Sequence, residues 1–207
     1  MQVLHLGNRD SETLLVQPVD NHDLATIENE ATLIRSLAGK DFHLLAVRVS
    51  RWNLDLSPWP APAIFGNEDF GGGAENTLRD ILSLLPDRPE RIFIGGYSLA
   101  GLFALWAGCR TDRFSGIAAA SPSVWFPGFT DFMEQHDLRA GSVYLSLGDR
   151  EEKTRNPVMS RVGECIRATH ALLARRGIPC TLEWNEGNHF RDPDLRTAKA
   201  FAWLMKR

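Results

Sequence analysis

The residues best placed to do chemistry begin with Gly96-Tyr97-Ser98-Leu99-Ala100-Gly101. A short strand pattern over 91–95 (RIFIG) runs into them, and a helical pattern over 99–109 follows. A serine on a tight strand-to-helix turn holds its hydroxyl clear of the sheet, as a nucleophile elbow requires. The next backbone N–H, that of Leu99, then points at a developing oxyanion, and the helix N-terminus adds a field that favours negative charge. Ala100 stands where the G-x-S-x-G pattern has its second glycine, and Gly101 follows at once. The competing explanation is a turn that needs Gly and Ser only for its shape.

A serine hydroxyl is a weak nucleophile without a base. Of the six histidines, His189 is placed best, in the loop Asn185-Glu186-Gly187-Asn188-His189-Phe190 after the last expected strand. Hydrolases built on such an elbow run Ser, acid, His along the chain. His5 and His22 precede the serine, His43 falls inside a strand, and His170 lies on a helix. The acid belongs after the strand expected at 142–147. There Leu147-Gly148-Asp149-Arg150-Glu151-Glu152-Lys153 offers Asp149, Glu151 and Glu152. The residues alone leave all three open, beside the simpler reading of a solvated charged loop.

Other chemistries find no support. No HExxH, CxxC pair or histidine cluster is present, so no metal is expected. No GxxxxGK[ST] phosphate loop occurs, and Gly71-Gly72-Gly73 reads as a hinge or the entry to a helix at 74. With 23 basic and 26 acidic residues the net charge is -3, which argues against a nucleic-acid surface. Cys109, Cys165 and Cys180 show no pairing and fit reduced thiols in a cytoplasmic protein. The opening MQVLHLGNRDSE lacks the basic start and apolar run of a signal peptide. Ile92–Cys109 carries no charge, but Gly95-Gly96-Tyr97-Ser98 breaks it into strand and helix, so no membrane span is expected.

Placing Ser98, His189 and an acid together takes an alternating α/β chain. Strands are expected at 13–19, 42–49, 91–95, 115–120, 142–147 and 178–184. Helices are expected at 24–38, 74–85, 99–109, 129–137, from Val158 to Gly177, and at 194–206. Such alternation implies a mainly parallel sheet with helices on both faces, in a single domain over 1–207. The stretch from Ser50 to Gly73 is expected as a long functional loop. It carries Trp52, Trp59, Phe65 and Phe70; a second loop carries Trp125, Phe126 and Phe129. Both leave the C-terminal ends of strands, where α/β folds bind ligands. Some of these rings are expected to pack on the core and the others to line an apolar pocket.

Together, IGGYSLAGLFALW, SPSVWFPGF, LGDREEKTRN and EWNEGNHF resemble the α/β-hydrolase serine esterases of the esterase D and enterochelin-esterase-like group. The resemblance covers the chain from about residue 42 onward. It implies a compact α/β-hydrolase fold without a separate cap, short of the family's first strands. It implies Ser98 as nucleophile and His189 as base. The family's acid stands three residues past the glycine that ends its strand, which selects Glu151. Gly148-Asp149 also reads as a turn in which the Asp bonds its own backbone. The resemblance implies oxyanion donors in the backbone N–H groups of Leu99 and Trp52, and no cofactor. Trp52, Tyr97, Trp125 and Phe126 are the expected substrate-binding side chains. The partner implied is a small-molecule ester. An acyltransferase, thioesterase or peptidase on the same fold is the alternative, and a non-catalytic binding domain the second.

Overall fold

The computed structural model of the protein describes residues 2–86 and 91–207. In chain order its elements are β1 (Gln2–Gly7), β2 (Thr13–Val19), α1 (Asn21–Ala38), β3 (His43–Arg48), α2 (Trp52–Leu56), β4 (Pro60–Ala61), β5 (Phe70–Gly71) and α3 (Ala74–Leu84). Then come β6 (Arg91–Tyr97), α4 (Leu99–Arg110), β7 (Gly116–Ala120), α5 (Phe129–Gln135), β8 (Val143–Gly148), α6 (Val162–Arg175), β9 (Cys180–Asn185) and α7 (Pro193–Met205). Single 3-10 turns at Glu151–Lys153 and Met159–Arg161 lie between β8 and α6.

Seven strands form one sheet in the order β1-β3-β2-β6-β7-β8-β9. Every pair is parallel except β1 with β3, which is antiparallel. β2, β7 and β8 are buried along their whole length, as strands covered on both faces must be. Pro18 sits inside β2 without harm. The Val19 carbonyl accepts from Val49 on the β3 side, so Pro18 faces the β6 side, where pairing ends at Val16.

Helices cover both faces. α1 and α7 pack on one, where Ile27, Ile34, Phe42, Tyr144, Phe201 and Leu204 meet. The other core holds Leu45, Ile94, Phe103, Trp106, Phe126 and Phe129 under α2 to α6. α1 begins where Asp20 accepts from the Asp23 N–H and Asp23 accepts from the Asp20 N–H, a capping box, and it stops at Gly39 in the left-handed region. From β2 the chain steps outward to β3, then crosses to β6 on the other side. Ligands bind in α/β sheets at the C-terminal ends of strands beside such a reversal.

Two expectations need correction. β1 was not anticipated: it is an edge strand with four of six residues exposed, so no apolar run marks it. The stretch 50–73 is not a bare loop, since it contains α2 and the small β4–β5 pair. Ser57 ties this segment together, donating to the Asn53 carbonyl and accepting from the Gly72 N–H. The Trp59 indole N–H donates to the Pro127 carbonyl at 3.0 Å, which joins the two aromatic loops.

Glu30 is buried on α1 at 3.4 Å from the Gln17 amide. Burial raises its carboxyl well above the usual range, against the weaker effect of the Gln17 bond. A carboxyl raised in the fold contributes stability that is fully present below its unfolded value and is lost as pH rises through the folded one. Glu30→Gln is therefore expected to flatten the fall in urea midpoint between acidic and mildly alkaline buffer. A fall as steep as the parent's would show that Glu30 has no part in it.

Candidate active site

Ser98 stands at the end of β6 with φ 57 and ψ -118, a conformation an L-residue adopts only when its surroundings impose it. Those surroundings are visible. The Ser98 N–H donates to the Ala120 carbonyl of β7 at 3.0 Å, and the Ser98 carbonyl accepts from Leu102 and Ser123 at 3.1 Å each. A side chain on Gly96 would meet the Ala100 methyl at 2.6 Å. Ala100 in place of the motif's second glycine is thus accommodated by the bare Gly96 rather than by a looser turn. The Leu99 N–H lies in the first turn of α4, whose leading N–H groups have no acceptor within the helix.

His189 comes to Ser98 from the loop after β9. Its Nε2 lies 3.0 Å from Ser98 Oγ, and its Nδ1 lies 2.7 Å from Glu151 Oε2. A carboxylate only accepts, so Nδ1 carries the proton and Nε2 is free to accept from the serine. Ser123 Oγ lies 3.2 Å from Ser98 Oγ. Because the serine proton is directed at His189, Ser123 is the donor in that contact.

Glu151 is 7% exposed and uses both oxygens. Oε1 accepts from the Gly148 N–H at 2.7 Å, from Ser121 Oγ at 2.8 Å and from Arg196 Nη1 at 2.8 Å. Burial by itself raises the carboxyl. The bonds to His189, Gly148 and Ser121 outweigh it and hold the carboxyl below its ordinary value.

Of the three candidate acids, only Glu151 turns to the histidine. Asp149 accepts from the Gly187 N–H at 2.8 Å, bracing the histidine loop and not its own turn. Glu152 pairs with Arg167 of α6 at 2.9 Å.

Arg196 and Ser123 carry no signal in the sequence. Arg196 is 1% exposed on α7. Besides Glu151 it donates to Tyr97 Oη, Ser121 Oγ and the carbonyls of Glu186 and Asn188, each at 3.1 Å. An Arg spaced on a helix reads as a solvent-facing residue, and only the fold turns it inward. Gly148 makes room for it: a Cβ there would stand 2.4 Å from the Gly187 carbonyl and 3.0 Å from the guanidinium.

The aromatic expectations divide. Tyr97 donates its hydroxyl to the His189 carbonyl at 2.7 Å, so it holds the loop as well as facing the cleft. Burial, then the charge of Glu151, pushes its hydroxyl up to about 12. Trp52 and Tyr97 line a cavity of about 300 Å³ beside Ser98, and Trp125 lines one of about 420 Å³ on the other side of His189 and Phe190. Phe126 does not line either. It is 2% exposed and packs edge-on against Phe70 at 5.0 Å, so it supports the wall from behind. Another cavity, of about 550 Å³, opens at the opposite end of the strands beside His5 and His43, away from all of these residues. Among the described residues no cluster has the donors to hold a metal, and no helix is long and apolar enough to cross a membrane.

No family model and no curated protein matches the chain. Solved structures do. A siderophore hydrolase, EstA from Aspergillus nidulans, superposes with a TM-score of 0.68 at 20% identity over 93% of this chain and 81% of that one. An IroE-like serine hydrolase from Shewanella oneidensis gives 0.77 at 17% identity over 99% and 75%. The chain has the α/β-hydrolase fold. A capsule O-acetyltransferase of Neisseria meningitidis serogroup A gives 0.56 at 12% identity over 99% and 91%, so the fold is shared with a transferase as well.

Arg196→Met is expected to cost about 3–5 kcal/mol in urea unfolding, because it leaves Glu151 buried without its cation. A loss under about 1 kcal/mol would mean that the other bonds to Glu151 suffice. Glu151 also has a pH signature. A carboxyl lowered in the fold contributes stability above its unfolded value and loses it as pH falls through the folded one. Glu151→Gln should remove that component of the acid-induced fall in melting temperature, and an unchanged acid limb would contradict it.

Proposed function

We propose that this protein is a serine hydrolase that cleaves carboxylic esters through an acyl-enzyme on Ser98. The observation that carries the reading is the unbroken chain from Ser98 Oγ to His189 Nε2 at 3.0 Å and from His189 Nδ1 to Glu151 Oε2 at 2.7 Å, on a strained strand-to-helix turn. His189 takes the serine proton as Oγ attacks the ester carbonyl. Glu151, kept ionised by its hydrogen bonds, fixes the tautomer and stabilises the imidazolium. The tetrahedral oxyanion is held by the Leu99 N–H at the head of α4 and the Trp52 N–H at the head of α2. His189 then protonates the leaving alcohol, and a water activated by the same base releases the acid.

Trp52, Tyr97 and Trp125 face the substrate in this reading, which invokes no cofactor. The three free thiols, two of them buried, fit a reducing, cytoplasmic setting. The solved structures' names range from siderophore hydrolase to O-acetyltransferase, so they leave the substrate to be argued from the cavities. The second reading is acyl transfer to an alcohol other than water. The superposition on the O-acetyltransferase favours keeping it. Added alcohols that raise phenol release from a phenyl ester and yield new ester would select it.

Ser98→Ala is expected to lower turnover of a simple aryl ester by about a million-fold, the loss seen when such a nucleophile is removed. A fluorophosphonate should label the parent at Ser98 and leave the variant unlabelled, with circular dichroism confirming that both are folded. Glu151→Gln should reduce turnover more than Asp149→Asn or Glu152→Gln. If Asp149→Asn proves the most damaging, the acid is misassigned.

A further inference from the structure

The run Arg150-Glu151-Glu152-Lys153 has no net charge in the sequence, but the fold sorts it. Glu151 turns inward to His189 and Arg196, and Glu152 turns aside to Arg167. Arg150 and Lys153 remain. Both are exposed, neither has an ion pair or a side-chain hydrogen bond among the described residues, and both line the larger cavity of about 420 Å³. Trp125, Met159, Val162 and Phe190 form its apolar walls; Thr154, Asn188, His189 and Glu151 line it too, and the Glu151 carboxylate is already engaged by His189 and Arg196. Phe190 is 86% exposed and forms the partition with His189, since both residues also line the smaller cavity. A recess with apolar walls, lined by two exposed cations without ion-pair partners among the described residues, suits a small apolar body that ends in a negative charge.

The smaller cavity has no Lys or Arg in its lining. Asp20 and Asp23 line it, and neither is in an ion pair among the described residues. Chemistry assigns the two cavities. The acyl group stays bonded to Ser98, so it occupies the cavity that Ser98 and Trp52 line. The departing oxygen must receive a proton from His189, which lines both cavities, so with the acyl group in the cavity of Ser98 the leaving group takes the other, larger one.

We infer that Arg150 and Lys153 select esters whose leaving alcohol or phenol carries a carboxylate. This rests on the proposed attack by Ser98. In that step the serine Oγ–carbon bond forms and the ester carbon–oxygen bond breaks. The serine proton passes through His189 Nε2 to the leaving oxygen, and the carboxylate stays ionised between the two cations throughout. Charge on the acyl side meets Asp20 and Asp23 instead, so it is disfavoured.

The test compares two acetate esters near pH 8, para-acetoxybenzoate and its methyl ester, by kcat/KM in the parent and in an Arg150→Gln/Lys153→Gln variant. Taking the ratio of anionic to neutral ester in each protein cancels the intrinsic difference between the two phenols. That ratio is expected to fall about tenfold in the double variant and several-fold in Lys153→Gln alone, as expected for one or two solvent-facing charge contacts. Raising the salt to about 1 M should lower the parent's ratio in the same direction. A second pair, phenyl hydrogen succinate against phenyl butyrate, puts the charge on the acyl side and should show no such fall. A ratio that does not move, or moves only in the succinate pair, overturns the assignment. If the parent turns over neither methyl para-acetoxybenzoate nor phenyl butyrate, the reading of Ser98 fails first and this inference with it.

Discussion

A carboxylate taken out of water loses several kcal/mol of hydration unless the protein replaces it. Glu151 is the place where this fold meets that demand. Its four hydrogen bonds come from His189, Gly148, Ser121 and Arg196. Those partners belong to the ends of β7 and β8, the loop after β9, and α7. Few other positions gather so many elements. The cation is held as carefully as the anion, because Arg196 spends its remaining donors on Tyr97, Ser121 and the carbonyls of the histidine loop. Ion pair and loop are therefore one structure: moving the His189 loop breaks bonds to Arg196, and losing Arg196 leaves Glu151 buried without its cation, held only by His189, Gly148 and Ser121.

The same economy explains how Ser98 is kept at a positive φ. The strain is opposed by backbone bonds from both sides, to Ala120 of β7 and from Ser123 in the following loop. Ser121, the residue after Ala120, also has positive φ and donates to Glu151. The two strained serines thus lie on adjacent strand ends and are cross-braced through the β7 loop. Strain of this kind persists only where packing over-determines it. Here the fully buried strands β7 and β8 supply that packing.

Much of this was legible from residue order because parallel strands announce themselves. Thr13–Val19, Gly116–Ala120 and Val143–Gly148 are near-continuous apolar runs, and each lies where the sequence pattern expects it. Ser98 and His189 were legible for a different reason, since their chain order and their places after strands are local facts. β1 was not legible because an edge strand buries too little to need an apolar pattern. Arg196 and Ser123 were hidden because their meaning is tertiary: a single Arg on a helix has no periodicity to betray that it points inward. Phe126 departs from its expected place for the converse reason. Loop position suggested a cavity wall, but in a fold this small an aromatic loop residue also serves as core, and Phe70 and Trp59 enclose it.

The segment after β8 supplies both the carboxylate that meets His189 and the two cations of the neighbouring recess. Fold alone does not determine substrate, which is set by side chains grafted on it. Within four residues the chain places one carboxylate against the histidine, ties a second to α6, and leaves two cations beside the cleft. These placements depend on one another. The 3-10 turn at Glu151–Lys153 rotates successive side chains by about a third of a turn each. Directing Glu151 inward therefore sends Glu152 toward α6 and puts Lys153 on the third side, the one it shares with Arg150 three residues earlier. The geometry that completes the Ser98–His189–Glu151 chain is thus the same geometry that sets the charge of the neighbouring recess. A change in the length of this turn would alter both together.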